Sequence, residues 1–206
     1  MVDANKLKQI INNFNQRKIE VQYFTAGLDF KTYLKDIIPE GSIVGIGNSK
    51  TLKTMQISET LSHQGFKVLD KTLARNKEES DILKKKSLLA DWYLTGSNAI
   101  TVDGQIVNID HSGNRVAAML YGPDNVIVVV GVNKIEETLD QAINRTRNIA
   151  APLNAKRAGF NPPCVKLNKC IDCTSHDRVC NYLVVIEGQS KPGRLKLCII
   201  EQELGF

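Results

Sequence analysis

The sequence predicts a doubly wound α/β domain: a mixed sheet with helices on both of its faces. Three observations carry this. Segments with the apolar period of a helix alternate with short strand-length runs along most of the 206 residues, the order that builds a parallel sheet with crossover helices. One run, "NVIVVVG" at 125–131, is apolar almost throughout, as a strand covered on both faces must be. A third, "ITVDGQIVNID", places Asp103-Gly104 between two β-rich stretches. That hairpin signal, with two closing strands, makes the sheet mixed rather than purely parallel.

The elements follow in order. "ANKLKQIINNFNQRK" carries Leu7, Ile10, Ile11 and Phe14 at the i, i+3, i+4, i+7 spacing of a helix. "IEVQYFT" is a short strand, and "AGLDFKTYLKDII" is a helix stopped by Pro39-Glu40-Gly41. "SIVGIGNS" is a strand entering a glycine turn. The spacing then predicts one helix from Ser49, its N-cap, to Gly65. "FKVLD" is a strand, "RNKEESDILKKKSLLA" a helix and "DWYLTGSNAIT" one buried strand. After the hairpin, expected as a type I′ turn, a helix opens at Gly113. The central strand leads to a long helix, "NKIEETLDQAINRTRNIA", ending before Pro152. An irregular cysteine segment and the strands "YLVVIEG" and "RLKLCIIEQEL" close the chain. All 206 residues are expected in a single domain.

Composition narrows the function. The net charge of +5 is too mild to indicate a nucleic-acid partner. The densest basic run, Lys84-Lys85-Lys86, follows Glu78 and Glu79 at helical spacing and reads as a solvated helix face. No apolar run is long enough to span a membrane. The N-terminus begins as an amphipathic helix rather than a signal sequence, so the expected location is the cytoplasm.

Polar residues concentrate at two strand exits. "GIGNSKT" puts Gly45, Gly47, Asn48, Ser49 and Lys50 at a strand-to-helix turn, where backbone N–H groups and the helix dipole suit a phosphate or carboxylate. It matches neither the P-loop nor the dinucleotide fingerprint. From Thr95 to Arg115, the residues Thr95, Gly96, Asn98, Asn108, Gly113, Asn114 and Arg115 crowd a strand exit, a hairpin and a helix start. A loop needs some of these for turns and caps, but not so many together. Arg115 is unfavourable for the dipole at the first turn of a helix, which suggests that it meets an anion. Asp110, His111 and Asp103 are the candidates for acid–base chemistry. Asn148, Asn154, Lys156 and Arg157 form a third group, able to extend an anion site or to be solvated loop residues. A small anionic ligand is the expected partner.

Four of the five cysteines fall in "CVKLNKCIDCTSHDRVC", 164–180. The spacing Cys164-x5-Cys170-x2-Cys173-x6-Cys180 contains one C-x-x-C pair, which suits two ligands on a tight turn, with the outer cysteines completing a four-thiolate site. Zinc and an iron–sulfur cluster both suit such a set, and His176 is available as a substitute ligand. Free or redox-active thiols are the alternative, and disulfides rank last in a reducing compartment.

"DWYLTGSNAITVDGQIVNIDHSGNRVAAMLYGP", followed by "VIVVVGVNKI", "RNIAAPLNAKR" and "CIDCTSHDRVCN", resembles the LUD-domain family, that of the lactate-utilisation proteins. The match runs over nearly the whole chain and is specific from about Asp91 to Asn181. It implies a Rossmann-like fold similar to those of sugar-phosphate isomerases and coenzyme A transferases. More weakly, the hairpin and "GNRVAA" resemble the methylthioribose-phosphate isomerase relatives of that fold, in which this loop handles a phosphorylated sugar. Lactate-utilisation proteins act within an oxidase complex whose iron–sulfur clusters are assigned to partner subunits. The chain lacks the ferredoxin repeats of those partners. The resemblance thus implies an accessory component of an oxidoreductase system, with partner subunits and a cysteine-held cluster or zinc. A stand-alone enzyme acting on a sugar phosphate or acyl substrate, and a non-catalytic ligand-binding module, are the alternatives. A homo-oligomer is compatible with each.

Overall fold

The computed structural model describes residues 2–206. Helix α1 (Ala4–Gln16) is capped by the Asp3 carboxylate, which accepts from the N–H groups of Asn5 and Lys6, and it buries Ile10 and Phe14. Strand β1 (Glu20–Phe24), helix α2 (Gly27–Ile37) and strand β2 (Ile43–Ile46) follow as expected. The single helix expected from 49 to 65 is two, α3 (Lys50–Thr54) and α4 (Ile57–His63), separated by Gln56 in the left-handed region at φ 54°. The apolar positions explain the break. Leu52, Met55, Ile57 and Leu61 are all buried, and the two-residue step from 55 to 57 would place them on different faces of one continuous helix.

Strand β3 (Lys67–Asp70), helix α5 (Lys77–Lys86) and strand β4 (Trp92–Gly96) come next. The run expected as one strand from Asp91 to Thr101 divides at Ser97-Asn98, where the chain leaves β4 and enters β5 (Ala99–Thr101) in a second sheet. Strand β6 (Ile106–Asp110) returns antiparallel to β5. Their loop is not a type I′ turn. The Gly104 N–H donates to the Thr101 carbonyl, and of the two residues expected at positive φ only Gly104 has it, at 92°. This is the pattern of a three-residue hairpin loop ending in a left-handed glycine.

Helix α6 (Asn114–Tyr121) precedes the central strand β7 (Asn125–Gly131). The helix expected to start directly after β7 is delayed. A 3₁₀ turn (Val132–Lys134) and a short strand β8 (Ile135–Glu136) intervene. Helix α7 (Leu139–Arg145) then opens on a capping box between Thr138 and Gln141. The run does not end before Pro152 either. It passes through a π-turn (Thr146–Ala150) into α8 (Ala151–Arg157), with Pro152 in the first turn, where its missing N–H is tolerated. Helix α9 (Pro163–Leu167) carries Cys164, and strands β9 (Tyr182–Ile186) and β10 (Leu195–Ile200) complete the chain.

The strands sort into two sheets. The larger has six, in the order β1-β10-β7-β4-β2-β3, and every neighbouring pair is parallel. The mixed pairing lies in a four-stranded sheet, β8-β5-β6-β9. Alternation along β7 feeds both faces of the main sheet. Val126, Val128 and Val130 pack with α1, α6 and the inner side of the small sheet. Ile127 and Val129 pack with α2, α3 and α4. Helix α7 covers the outer side of the small sheet through Ala142 against Ala99 and Val107. Among the described residues, no helix is long and apolar enough to cross a membrane.

A side chain at Gly104 would be strained at its φ of 92° and would place its Cβ 2.9 Å from Arg17 Cδ. Gly104→Val is therefore expected to destabilise the fold by about 1 kcal/mol or more. Denaturant unfolding measures this, and an unchanged midpoint would contradict the turn geometry.

Candidate functional site

Because the main sheet is parallel, the exits of β2, β3, β4 and β7 share one edge, the usual place for a ligand crevice in an open α/β sheet. A cleft of about 190 Å³ lies there. Asn48, Ser49 and Lys50 reach it after β2, Lys71 after β3, Gly96 to Asn98 from β4 and Lys134 after β7. The small sheet contributes Ile109 and Asp110, and α6 contributes Asn114 and Arg115. Arg157 of α8 reaches across the rim, donating to Asn48 Oδ1 (3.0 Å) and to Asn154 Oδ1 (2.7 Å).

Arg115 organises the floor rather than facing an anion. It is buried, and Nη1 donates to the Gly96 carbonyl (2.9 Å) and Asn108 Oδ1 (2.5 Å). Nη2 donates to the Ile109 carbonyl (2.8 Å) and Asn98 Oδ1 (3.3 Å), while Nε lies 3.5 Å from Asp110 Oδ1. The expected dipole conflict is resolved locally, since Asp110 Oδ2 accepts from the Arg115 N–H at the start of α6 (3.3 Å).

The cleft is cationic. Lys50, Lys71, Lys134 and Arg157 line it, and the one acidic side chain in its lining, Asp110, is paired with Arg115. Lys71 is held below the usual lysine range by burial and then by Lys84, with Arg157 adding to the effect against Asp110 and Asp70. Lys134 is the deepest of the four cations, only 3% exposed. His111 is exposed on the rim with its ring against Phe160, centroids 5.1 Å apart.

A family model described as the LUD domain matches residues 7–200. The chain belongs to the LUD-domain family. A DUF162-family protein from Deinococcus radiodurans shares its fold, at 18% identity and a TM-score of 0.58, covering 97% of this chain and 99% of that one. Two isomerase structures are also similar over about half of each chain. Ribose 5-phosphate isomerase A from Methanocaldococcus jannaschii has 14% identity and a TM-score of 0.35, covering 55% of both chains. Its counterpart from Neisseria gonorrhoeae has 16% and 0.35, covering 56% of this chain and 57% of that one. Comparison with curated proteins finds no match.

Within this LUD domain, Asn48, Ser49, Lys50, Gly96, Asn98, Asn114 and Arg115 line one cleft, together with Asp110 and His111. Gly45 and Gly47 do not. A Cβ at Gly45 would meet Tyr93 Cδ2 at 2.9 Å, and one at Gly47 would meet Thr95 Oγ1 at 2.5 Å. Both glycines let β2 close against β4. Thr95 and Asn108 are fully buried behind the lining, and Asn108 Nδ2 has no partner among the described residues. Gly113, at φ 80°, turns the chain into α6 against the Tyr182 ring. Asp103 sits at the hairpin tip beside α1, where its carbonyl accepts from Arg17 Nε (2.9 Å). Lys71 and Lys134 carry no clustering signal in the sequence, because each is a single lysine following a strand. The only available signal was their position at strand C-termini.

The cysteine segment forms one wall. Val179 lines the cleft, and Asn181 bonds the Asp110 and His111 carbonyls through its N–H (3.1 Å) and Nδ2 (2.9 Å). All five cysteines are free. Arg178 Nη1 donates to the Cys173 carbonyl (2.6 Å) and its Nε to that of Cys180 (3.3 Å). Burial pushes the Cys164 thiol up, and Cys173, Cys180 and Cys170 add to the effect. Burial also raises Cys180, against Arg178, with Cys170 and Cys173 adding to the rise. The four thiols thus lie within electrostatic reach of one another. Among the described residues, no three His, Cys, Asp or Glu side chains stand in metal-holding geometry. His176 is fully exposed, with Nδ1 3.8 Å from Asp177.

Removing the Arg115 side chain would strip the Gly96 and Ile109 carbonyls and Asn108 Oδ1 of a donor and leave Asp110 without its guanidinium partner. Arg115→Ala is expected to cost about 3 kcal/mol or more in chemical denaturation. Lys84→Ala, which breaks a partly exposed pair with Asp81 and removes a charge that repels Lys71, should stay within about 0.5 kcal/mol. Equal stability of the two variants would contradict the scaffold role.

Proposed function

We propose that this LUD domain binds a small anionic metabolite, a phosphate ester or carboxylate, in the cleft at the sheet edge. The observation that carries the reading is charge. Lys50, Lys71 and Arg157, from three different elements, together with the amine of Lys134, line one polar cleft whose one acidic side chain is already paired. At about 190 Å³ the space suits a ligand smaller than drug-sized. Arg157 and Lys71 are the residues best placed to meet the anion, since neither has a carboxylate partner. Calorimetry against phosphate, citrate and sugar phosphates tests this. The best ligand should lose at least about tenfold in affinity in Arg157→Ala and in Lys71→Ala, the scale of one charge-assisted hydrogen bond. Absence of binding by every anion in the panel, or indifference to both substitutions, would overturn the reading.

The gathering of four thiols favours a second, compatible role. Cys164, Cys170, Cys173 and Cys180 would hold zinc or an iron–sulfur cluster, fitting the chain as an accessory component of an oxidoreductase system. A shared cation would displace the thiol protons and let one ion hold all four sulfurs, which requires a rearrangement of the irregular segment, since no three of these side chains stand in metal-holding geometry. The donor set favours a thiophilic metal without selecting one. Anaerobically purified protein should carry metal, and Cys170→Ser or Cys173→Ser should remove it and lower the melting temperature. Metal-free protein with four freely titratable thiols would overturn this role.

A further inference from the structure

Lys134 has properties that anion binding does not require. It leaves the end of the central strand β7 through the 3₁₀ turn, and its Nζ donates to Thr51 Oγ1 (2.9 Å) and to the Ser97 carbonyl (3.0 Å). The Thr51 hydroxyl donates to the Leu204 carbonyl (3.3 Å), so its oxygen can only accept from the lysine. Both fixed partners are therefore neutral acceptors. They orient two N–H bonds and leave the third bonding direction of the nitrogen, in a residue that lines the cleft.

No carboxylate pairs with Lys134 among the described residues. The charged groups around it are Arg145 of α7, paired with Glu136 (3.5 Å), and Arg115 of α6, paired with Asp110 (3.5 Å). Lys50, Lys71 and Arg157 line the same cleft. The backbone closes over the amine at Gly205, where φ is 68° and a Cβ would lie 3.2 Å from Nζ and 2.8 Å from Thr51 Oγ1. A buried amine among cations, with neutral acceptors only, is stabilised without its charge. Burial first, then Arg145 and Arg115, lower its pKa to about 7. Near neutrality the third direction then carries a lone pair in a large fraction of molecules, whereas an ordinary lysine is almost wholly protonated.

We infer that Lys134 is a nucleophilic amine that condenses reversibly with the carbonyl carbon of a small anionic aldehyde or ketone held in the cleft. The inference rests on the anion-binding reading for its choice of substrate. The Nζ lone pair forms a bond to the carbonyl carbon as the C=O π pair moves to oxygen. One proton passes from nitrogen to that oxygen, giving a carbinolamine. A second proton, from solvent, lets the oxygen leave as water and generates a protonated imine. No oxidant or reductant takes part, and hydrolysis reverses the step. A 2-oxo acid and a phosphorylated aldose or ketose share the required chemistry, a carbonyl a few bonds from an anion.

The test uses the whole chain with two probes, glyoxylate and glycolaldehyde phosphate, each trapped with cyanoborohydride and located by peptide mass spectrometry. At pH 7, Lys134 should be alkylated at least about tenfold faster than the exposed Lys35. Its rate should rise through pH of about 7 and then level, while that of Lys35 keeps rising. The faster probe identifies carboxylate or phosphate as the preferred anion. Lys134→Arg should remove the fast site and leave Lys35 labelling unchanged. Labelling of Lys134 no faster than Lys35 with both probes would overturn the inference. Calorimetry with inorganic phosphate, run on the same protein, separates the two readings. Phosphate binding with a silent Lys134 overturns the amine alone, and neither binding nor labelling overturns both.

Discussion

The cleft depends on one guanidinium. Arg115 joins the exit of β4, the strand β6 and the first turn of α6 through Gly96, Asn108, Ile109 and Asp110. Those elements belong to two sheets and a helix, and Ser97 and Asn98 add bonds from the β4 exit to Val107 and Ile109 of β6. A planar group with five donors is suited to this, because it satisfies acceptors in several directions without moving. The buried charge would be costly alone, but Asp110 lies beside it and its carbonyl partners supply the rest. Once the floor is tied, Asp110 is engaged by Arg115, and Lys50, Lys71 and Arg157 line the cleft with no ion-pair partner of their own among the described residues. The same interaction therefore fixes both the shape of the cleft and the sign of its charge.

The elements most legible in the sequence were those whose burial is simple. Strand β7 is apolar almost throughout because both of its faces are covered, and α1 shows one apolar stripe because it has one buried face. The misread elements are those in which tertiary placement overrides local pattern. The stretch from Asp91 to Thr101 is continuously strand-like, yet it serves two sheets, and only the polar pair Ser97-Asn98 marks the passage. Pro152 is a strong stop signal, but the π-turn before it changes the hydrogen-bond register and the helix continues. A period of 3.6 is visible in one dimension, whereas a change of register is not.

Site residues divide in the same way. Asn48 to Lys50, which cluster in sequence, line the same cleft as Gly96, Asn98, Asn114 and Arg115, since short loops at adjacent parallel strand ends must be neighbours. Clustering could not say which groups face inward. Gly45 and Gly47 are glycines because Tyr93 and Thr95 pack against them, and Arg115 is saturated by its own neighbours. Lys134 carries no local signal at all. Its burial arises from Gly205, Thr51 and Ser97, which are separated from it by 37 to 83 positions in the case of its hydrogen-bond partners.

The cysteine segment gains its meaning from what it touches. Between the buried Cys164 and Val179, its conformation rests on polar contacts, among them Asn148 Oδ1 accepting from the Cys170 N–H (2.8 Å), Asp177 accepting from the Asn161 N–H (3.0 Å), and the Arg178 contacts. Apolar side chains that would otherwise anchor it, Leu167 and Ile171, are exposed. Cys170 is therefore tied to the π-turn and Cys180 lies next to Asn181, which grips the Asp110 and His111 carbonyls. Asp110 is in turn the partner of Arg115. A few steps of hydrogen bonding connect the thiols to the floor of the cleft. The segment is anchored at its ends, by the buried Cys164 and Val179 and by Asn181, and Leu167 and Ile171 in its middle are exposed, so the part that carries Cys170 and Cys173 is the part packing constrains least.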